Sequence, residues 1–98
     1  MKYIVYNFIL TKYSTLSIIF SQMFKKISDN EELKDNFEFK TIDLDDVDNT
    51  SYIDDFKLKY VPTIVVTDTN NNVMLQIVGV ESVETITEQL KNLINGEQ

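Results

Sequence analysis

Residues 60–67 read Tyr-Val-Pro-Thr-Ile-Val-Val-Thr, and residues 73–80 read Val-Met-Leu-Gln-Ile-Val-Gly-Val. Between them lies Asp-Thr-Asn-Asn-Asn. The β-branched run Thr63–Thr67 has strand chemistry. Thr69–Asn72 is a turn, because asparagine tolerates positive φ. Val73–Val78 is the returning strand and Gly79 ends it. A β-hairpin therefore begins just after the only proline of the chain.

Working outward, Ser82 is placed to cap a last helix whose apolar stripe is Val83, Ile86, Leu90, Leu93 and Ile94. Asn95-Gly96 is its stop signal. Upstream, Tyr52, Ile53, Phe56 and Leu58 predict a short helix running up to Tyr60. Asp45–Ser51 before it is an acidic loop. Phe37–Leu44 alternates as a strand, and Glu31–Asn36 is polar with room for a helical turn. Ser14 caps a helix carrying Leu16, Phe20, Met23, Phe24 and Ile27, which ends near Ser28–Asn30. Lys2–Leu10 is nearly continuous apolar sequence, as suits a strand buried on both faces. The order is βαβαββα. It predicts one α/β domain over residues 1–98, a four-stranded mixed sheet with helices on both faces.

Composition narrows the chemistry. The 98 residues carry a net charge of −7, with no cysteine and no histidine. An acidic surface repels phosphate backbones and anionic lipid, so neither nucleic acid nor membrane is an expected partner. There is no thiolate nucleophile, no disulfide and no imidazole base or ligand. No metal and no cofactor are expected. Asp43–Asn49 superficially suggests calcium but fails the EF-hand pattern: Val47 stands at a ligand position, Asp48 replaces the turn glycine, and no glutamate closes the loop. The apolar N-terminus lacks a small-residue cleavage site and no segment has the length of a membrane span, so the chain reads as cytoplasmic.

With that order in hand, three local features resemble the thioredoxin family. Tyr60-Val61-Pro62-Thr63 stands between a short helix and an apolar strand, where the family has a cis-proline facing its active site. Gly79 stands where the family keeps a glycine, which close backbone approach would explain. Tyr13-Ser14-Thr15-Leu16-Ser17 occupies the place of the family's aromatic-Cys-x-x-Cys. The resemblance runs from Tyr3 to Ile94, with the outline of the smaller, glutaredoxin-like members. It places Ser14 and Ser17 on the two redox cysteines. A hydroxyl is far less acidic than a thiol and has no accessible disulfide partner state, so no thiol–disulfide activity is expected. The family's buried acid falls on Phe8 and the lysine after its second cysteine on Ile18.

The resemblance implies a groove that binds an extended polypeptide without turnover. It would be built from Tyr13, Ser14, Thr15, Leu16, Ile18, Val61, Pro62, Gly79 and Val80, with the backbone of Val61 as the pairing edge. The side chains are expected to form an apolar rim with no core to fill, on a monomeric protein. The rival is a thiol–disulfide oxidoreductase in which both cysteines have become serine; codons 14 and 17 of the gene separate the two. A structural subunit of a larger assembly is a third reading. The plain reading of Ser14 and Ser17 is a helix cap and a first-turn residue. A Ser–Lys hydrolase using Lys12 has no supporting motif.

Overall fold

The computed structural model describes residues 2–12 and 14–96. The elements are β1 (Tyr3–Ile9), α1 (Thr15–Ser28), β2 (Phe37–Asp43), a 3₁₀ turn (Val47–Asn49), α2 (Ser51–Asp55), β3 (Thr63–Thr67), β4 (Val73–Val78) and α3 (Val83–Ile94). The strands form one sheet in the order β2-β1-β3-β4. β1 pairs parallel with β2 and antiparallel with β3, and β3 pairs antiparallel with β4. This is the α/β architecture expected from the sequence, and neighbours of known structure bear it out below.

The central strands are apolar because both faces are covered. β3 is buried at every position, as is β1 from Val5 to Ile9. Side chains alternate across the sheet. Val5, Ile64, Val66 and Ile77 pack with Phe20, Phe24 and Ile27 of α1 and Ile86, Leu90 and Leu93 of α3. On the opposite face Tyr6, Phe8 and Val65 pack with Tyr52 of α2 and with Phe56, which caps it. Leu33, the one apolar residue of a polar connection, is fully buried and anchors the turns between α1 and β2.

Two expectations change. The second helix stops at Asp55, not Tyr60. Lys57 takes a left-handed φ of 54°, and the Leu58 N–H donates back to the Ile53 carbonyl. This is a Schellman-type ending without its usual glycine. The acidic loop before it contains the 3₁₀ turn, capped by the Asp46 side chain accepting from the Asp48 N–H.

Candidate functional site

The expected site lies where β1 ends, α1 begins and β3 starts. Ser14 is extended (φ −125°, ψ 102°) and caps α1, its Oγ accepting from the Ser17 N–H at 3.1 Å. Ser17 is fully buried, and its Oγ accepts from the Leu10 N–H at 3.1 Å. Both hydroxyls thus do structural work. Among the described residues no titratable side chain hydrogen-bonds to either, so nothing activates them as nucleophiles. Thr15 and Leu16 present first-turn N–H groups at the positive end of a 14-residue helix that has no acidic residue in its first turn.

On the strand side, the Val61–Pro62 peptide bond is cis and Pro62 is buried. The Pro62 carbonyl accepts from the Gly79 N–H at 2.8 Å, which sets Gly79 and Val80 beside Val61. Gly79 has φ +85°, and a Cβ there would meet no atom within 4 Å. The glycine is therefore required by its left-handed backbone, not by the close approach expected from sequence.

The register fixes the place of Val61. Phe8 faces Thr63 across β1 and β3, the last pair of that ladder, and Val61 lies just beyond it. Thr63 has its backbone turned toward β1, while Val61 precedes the strand across the cis bond. The Leu10 N–H, however, is already given to Ser17 as the chain turns into α1. Among the described residues neither the N–H nor the C=O of Val61 has a hydrogen-bond partner. A backbone donor and acceptor are thus left unpaired just before β3 begins.

The side chains around the gap between β3 and the start of α1 match expectation at Leu16 and Val80 and differ from it at Val61 and Ile18. Leu16 and Val80 are exposed, at 57% and 41%. Val61 is half-buried and packs on the Tyr6/Phe8 cluster, so it does have core to fill. Ile18, at 49%, is exposed, but at about 100° per residue it projects some 200° round α1 from Leu16. Ile19, three residues after Leu16, is the neighbour on Leu16's flank. Thr15 is exposed at the mouth. Tyr13 lies outside the described residues. Sequence reasoning passed over Tyr60, 66% exposed beside Val61; its place in Tyr-Val-Pro-Thr was the available signal. Tyr60 and Val61 also line a shallow hollow with Leu44, Ile53, Leu58 and Lys59.

Phe8 does not stand on the Ser17 side of the sheet. It lies in the α2-side aromatic cluster. The polar residue buried on the α1 side is Asn7, fully enclosed, with neither side-chain amide atom hydrogen-bonded among the described residues.

The acidic loop borders the site. Thr11 Oγ1 donates to Asp43 at 2.6 Å, and the Lys12 N–H donates to Asp45 at 2.7 Å. The Thr11 hydroxyl and then the Asp45 N–H hold the Asp43 carboxyl below its ordinary 3.8. Among the described residues no group of three or more acidic, histidine or cysteine side chains is placed to hold a metal ion. Nor is any helix long and apolar enough to cross a membrane.

Comparison with solved structures identifies the architecture. The chain superimposes on thioredoxin-2, a component of the malaria parasite protein secretion machinery, with a TM-score of 0.79 at 21% identity, covering 93% of this chain and 82% of that one. It superimposes on the Malassezia sympodialis thioredoxin with a TM-score of 0.73 at 21% identity, covering 98% and 75%. For the Drosophila melanogaster thioredoxin Deadhead the values are 0.77 and 17%, covering 94% and 81%. No family model and no curated protein sequence matches the chain. The chain has the thioredoxin fold. At these identities the likeness establishes the fold, and the activity has to be argued from the residues present.

Proposed function

We propose that the chain is a non-catalytic, cytoplasmic polypeptide-binding module, which takes an extended segment into the gap between β3 and the start of α1. The observation that carries this reading is the unpaired N–H and C=O of Val61, just past the last pair that β3 makes with β1, where the Leu10 N–H is already given to Ser17. A docked strand would complete those two hydrogen bonds. Leu16, Tyr60 and Val80 would cover its side chains, and the first N–H groups of α1 would meet its carbonyls. The absence of cysteine and histidine, with both serine hydroxyls engaged, supports binding without turnover.

The test is selection of extended peptides from a displayed library on the full chain, followed by calorimetry with the selected peptide. Leu16→Asp is expected to weaken binding by tenfold or more, about 1.4 kcal/mol, with an unchanged circular dichroism spectrum because Leu16 is exposed. Gln89→Asp on α3 is expected to change little. If Leu16→Asp and Val80→Asp both bind as tightly as the parent, the gap is not the interface. Val61→Asp is a poorer probe, since Val61 also packs on the core.

A further inference from the structure

The two edges of the sheet are built differently. β2 carries Glu38, Lys40 and Asp43 along its seven residues. Charges of this kind keep an open edge from pairing with another strand. β4 reads Val-Met-Leu-Gln-Ile-Val, and from Thr69 to Val80 no residue is charged, in a molecule of net charge −7. Met74, Val78 and Val80 are exposed there, at 38%, 53% and 41%. No element of the described chain pairs with the outer side of β4.

The register names the free groups. Because Gly79 hydrogen-bonds Pro62, the alternation makes 64/77 and 66/75 the hydrogen-bonded pairs with β3. The N–H and C=O of Gln76 and Val78 therefore face outward. A bulge at the Val66/Thr67 step, which leaves Met74 without a partner, kinks the strand on the turn side. The regular open ladder is the segment Leu75–Val78.

We propose that a second copy of this chain occupies that edge, its β4 antiparallel to the first about a two-fold axis through Ile77. In this register Gln76 of one copy faces Val78 of the other, twice over, so every outward backbone group of the regular segment is paired. Charge selects the occupant. A cationic partner would be drawn to the acidic surfaces, not to this neutral strip. Two copies of a −7 chain can pair along it with no charged side chain on either regular segment. Glu81 of one copy would fall opposite Val73 of the other. Asp68 folds back across the hairpin, its N–H donating to the Asn72 carbonyl at 3.0 Å, so it stands about two strand spacings, roughly 10 Å, from that Glu81, just beyond the Debye length of about 8 Å at physiological ionic strength. Val61 lies outside β4, so the peptide gap and the dimer edge use different backbone groups; Val80 borders both, so Leu16→Asp is the variant that tests the gap without touching the dimer edge.

Sedimentation equilibrium of the full chain tests it. A monomer–dimer equilibrium is expected that tightens as salt rises, because salt screens the mutual repulsion of the two acidic bodies. Gln76→Lys should weaken dimerisation at least tenfold. Val78→Lys is the second variant should the first fold poorly, and Lys40→Gln on β2 should leave the equilibrium unchanged. Amide exchange at Gln76 and Val78 should slow with protein concentration. A monomer at all concentrations and salts overturns the proposal. So does a dimer that loosens with salt, or one that both β4 variants leave intact.

Discussion

On one face of the sheet, helices of 14 and 12 residues lie over Val5, Ile64, Val66 and Ile77. On the other, a single helix of five residues covers Tyr6, Phe8 and Val65. The first face is closed by interlocked aliphatic and phenylalanine side chains spread over several turns. The second relies on four rings. Tyr6 stacks on Phe8 with centroids 5.6 Å apart, Tyr52 stacks on Phe56 at 6.2 Å, and the two pairs meet at 5.4–5.8 Å. A helix this short has almost no stability of its own. Its aromatic pairs, each adding about 0.5–1.5 kcal/mol beyond area burial, hold it in place. The lesson is that a sheet face can be sealed either by helix length or by ring area.

The sharpest test of this contrast removes one ring from each face. Phe20→Ala, at a fully buried position, is expected to cost about 3–5 kcal/mol, read as a lower urea midpoint. Phe56→Ala, at a half-buried position, should cost about 2 kcal/mol. It should also raise amide exchange locally in α2, because the helix loses its fixing contacts. If the two variants lose equal stability, or if α2 keeps its exchange protection without Phe56, the two faces are not stabilised differently.

The smallest expected effect concerns the loop that leads to α2. The folded Asp43 carboxyl lies below its ordinary 3.8 because it accepts from Thr11 and from the Asp45 N–H. The ionised form is therefore favoured in the folded state. Its contribution is complete above the ordinary value and disappears as pH falls through the depressed one. Asp43→Asn should lower the urea midpoint slightly at neutral pH, and the gap from the parent should close in strong acid. A gap that widens in acid would reverse the sign assigned to this group.

The same contrast explains what could be read in advance. Both long helices were legible because Phe20, Phe24 and Ile27, and Ile86, Leu90 and Leu93, repeat over enough turns to define a face. The hairpin was legible from its asparagine turn. The end of α2 was not, because Lys57 takes a backbone conformation usually reserved for glycine. Leu33 gave no periodic signal, being alone in a polar segment, yet tertiary packing buries it completely. At the candidate site the cap at Ser14, the first-turn place of Ser17 and the cis bond before Pro62 were legible. The half-burial of Val61 and the divergence of Ile18 from Leu16 were not. Those depend on which core cluster Val61 meets and on the direction of α1, and neither is written in local sequence.

The central place of β1 has a consequence for synthesis. β1 is flanked by β2 on one side and β3 on the other, so the strand translated before the other three is the one that needs partners from both halves of the chain. While only β1, α1 and β2 have left the ribosome, Ile64, Val66 and all of α3 are missing from the cluster that should cover Phe20 and Phe24. The nascent chain must hold that apolar surface open until Thr63–Thr67 emerges. Its hazard is a waiting time during translation, set by the distance in sequence from Phe8 to Thr63.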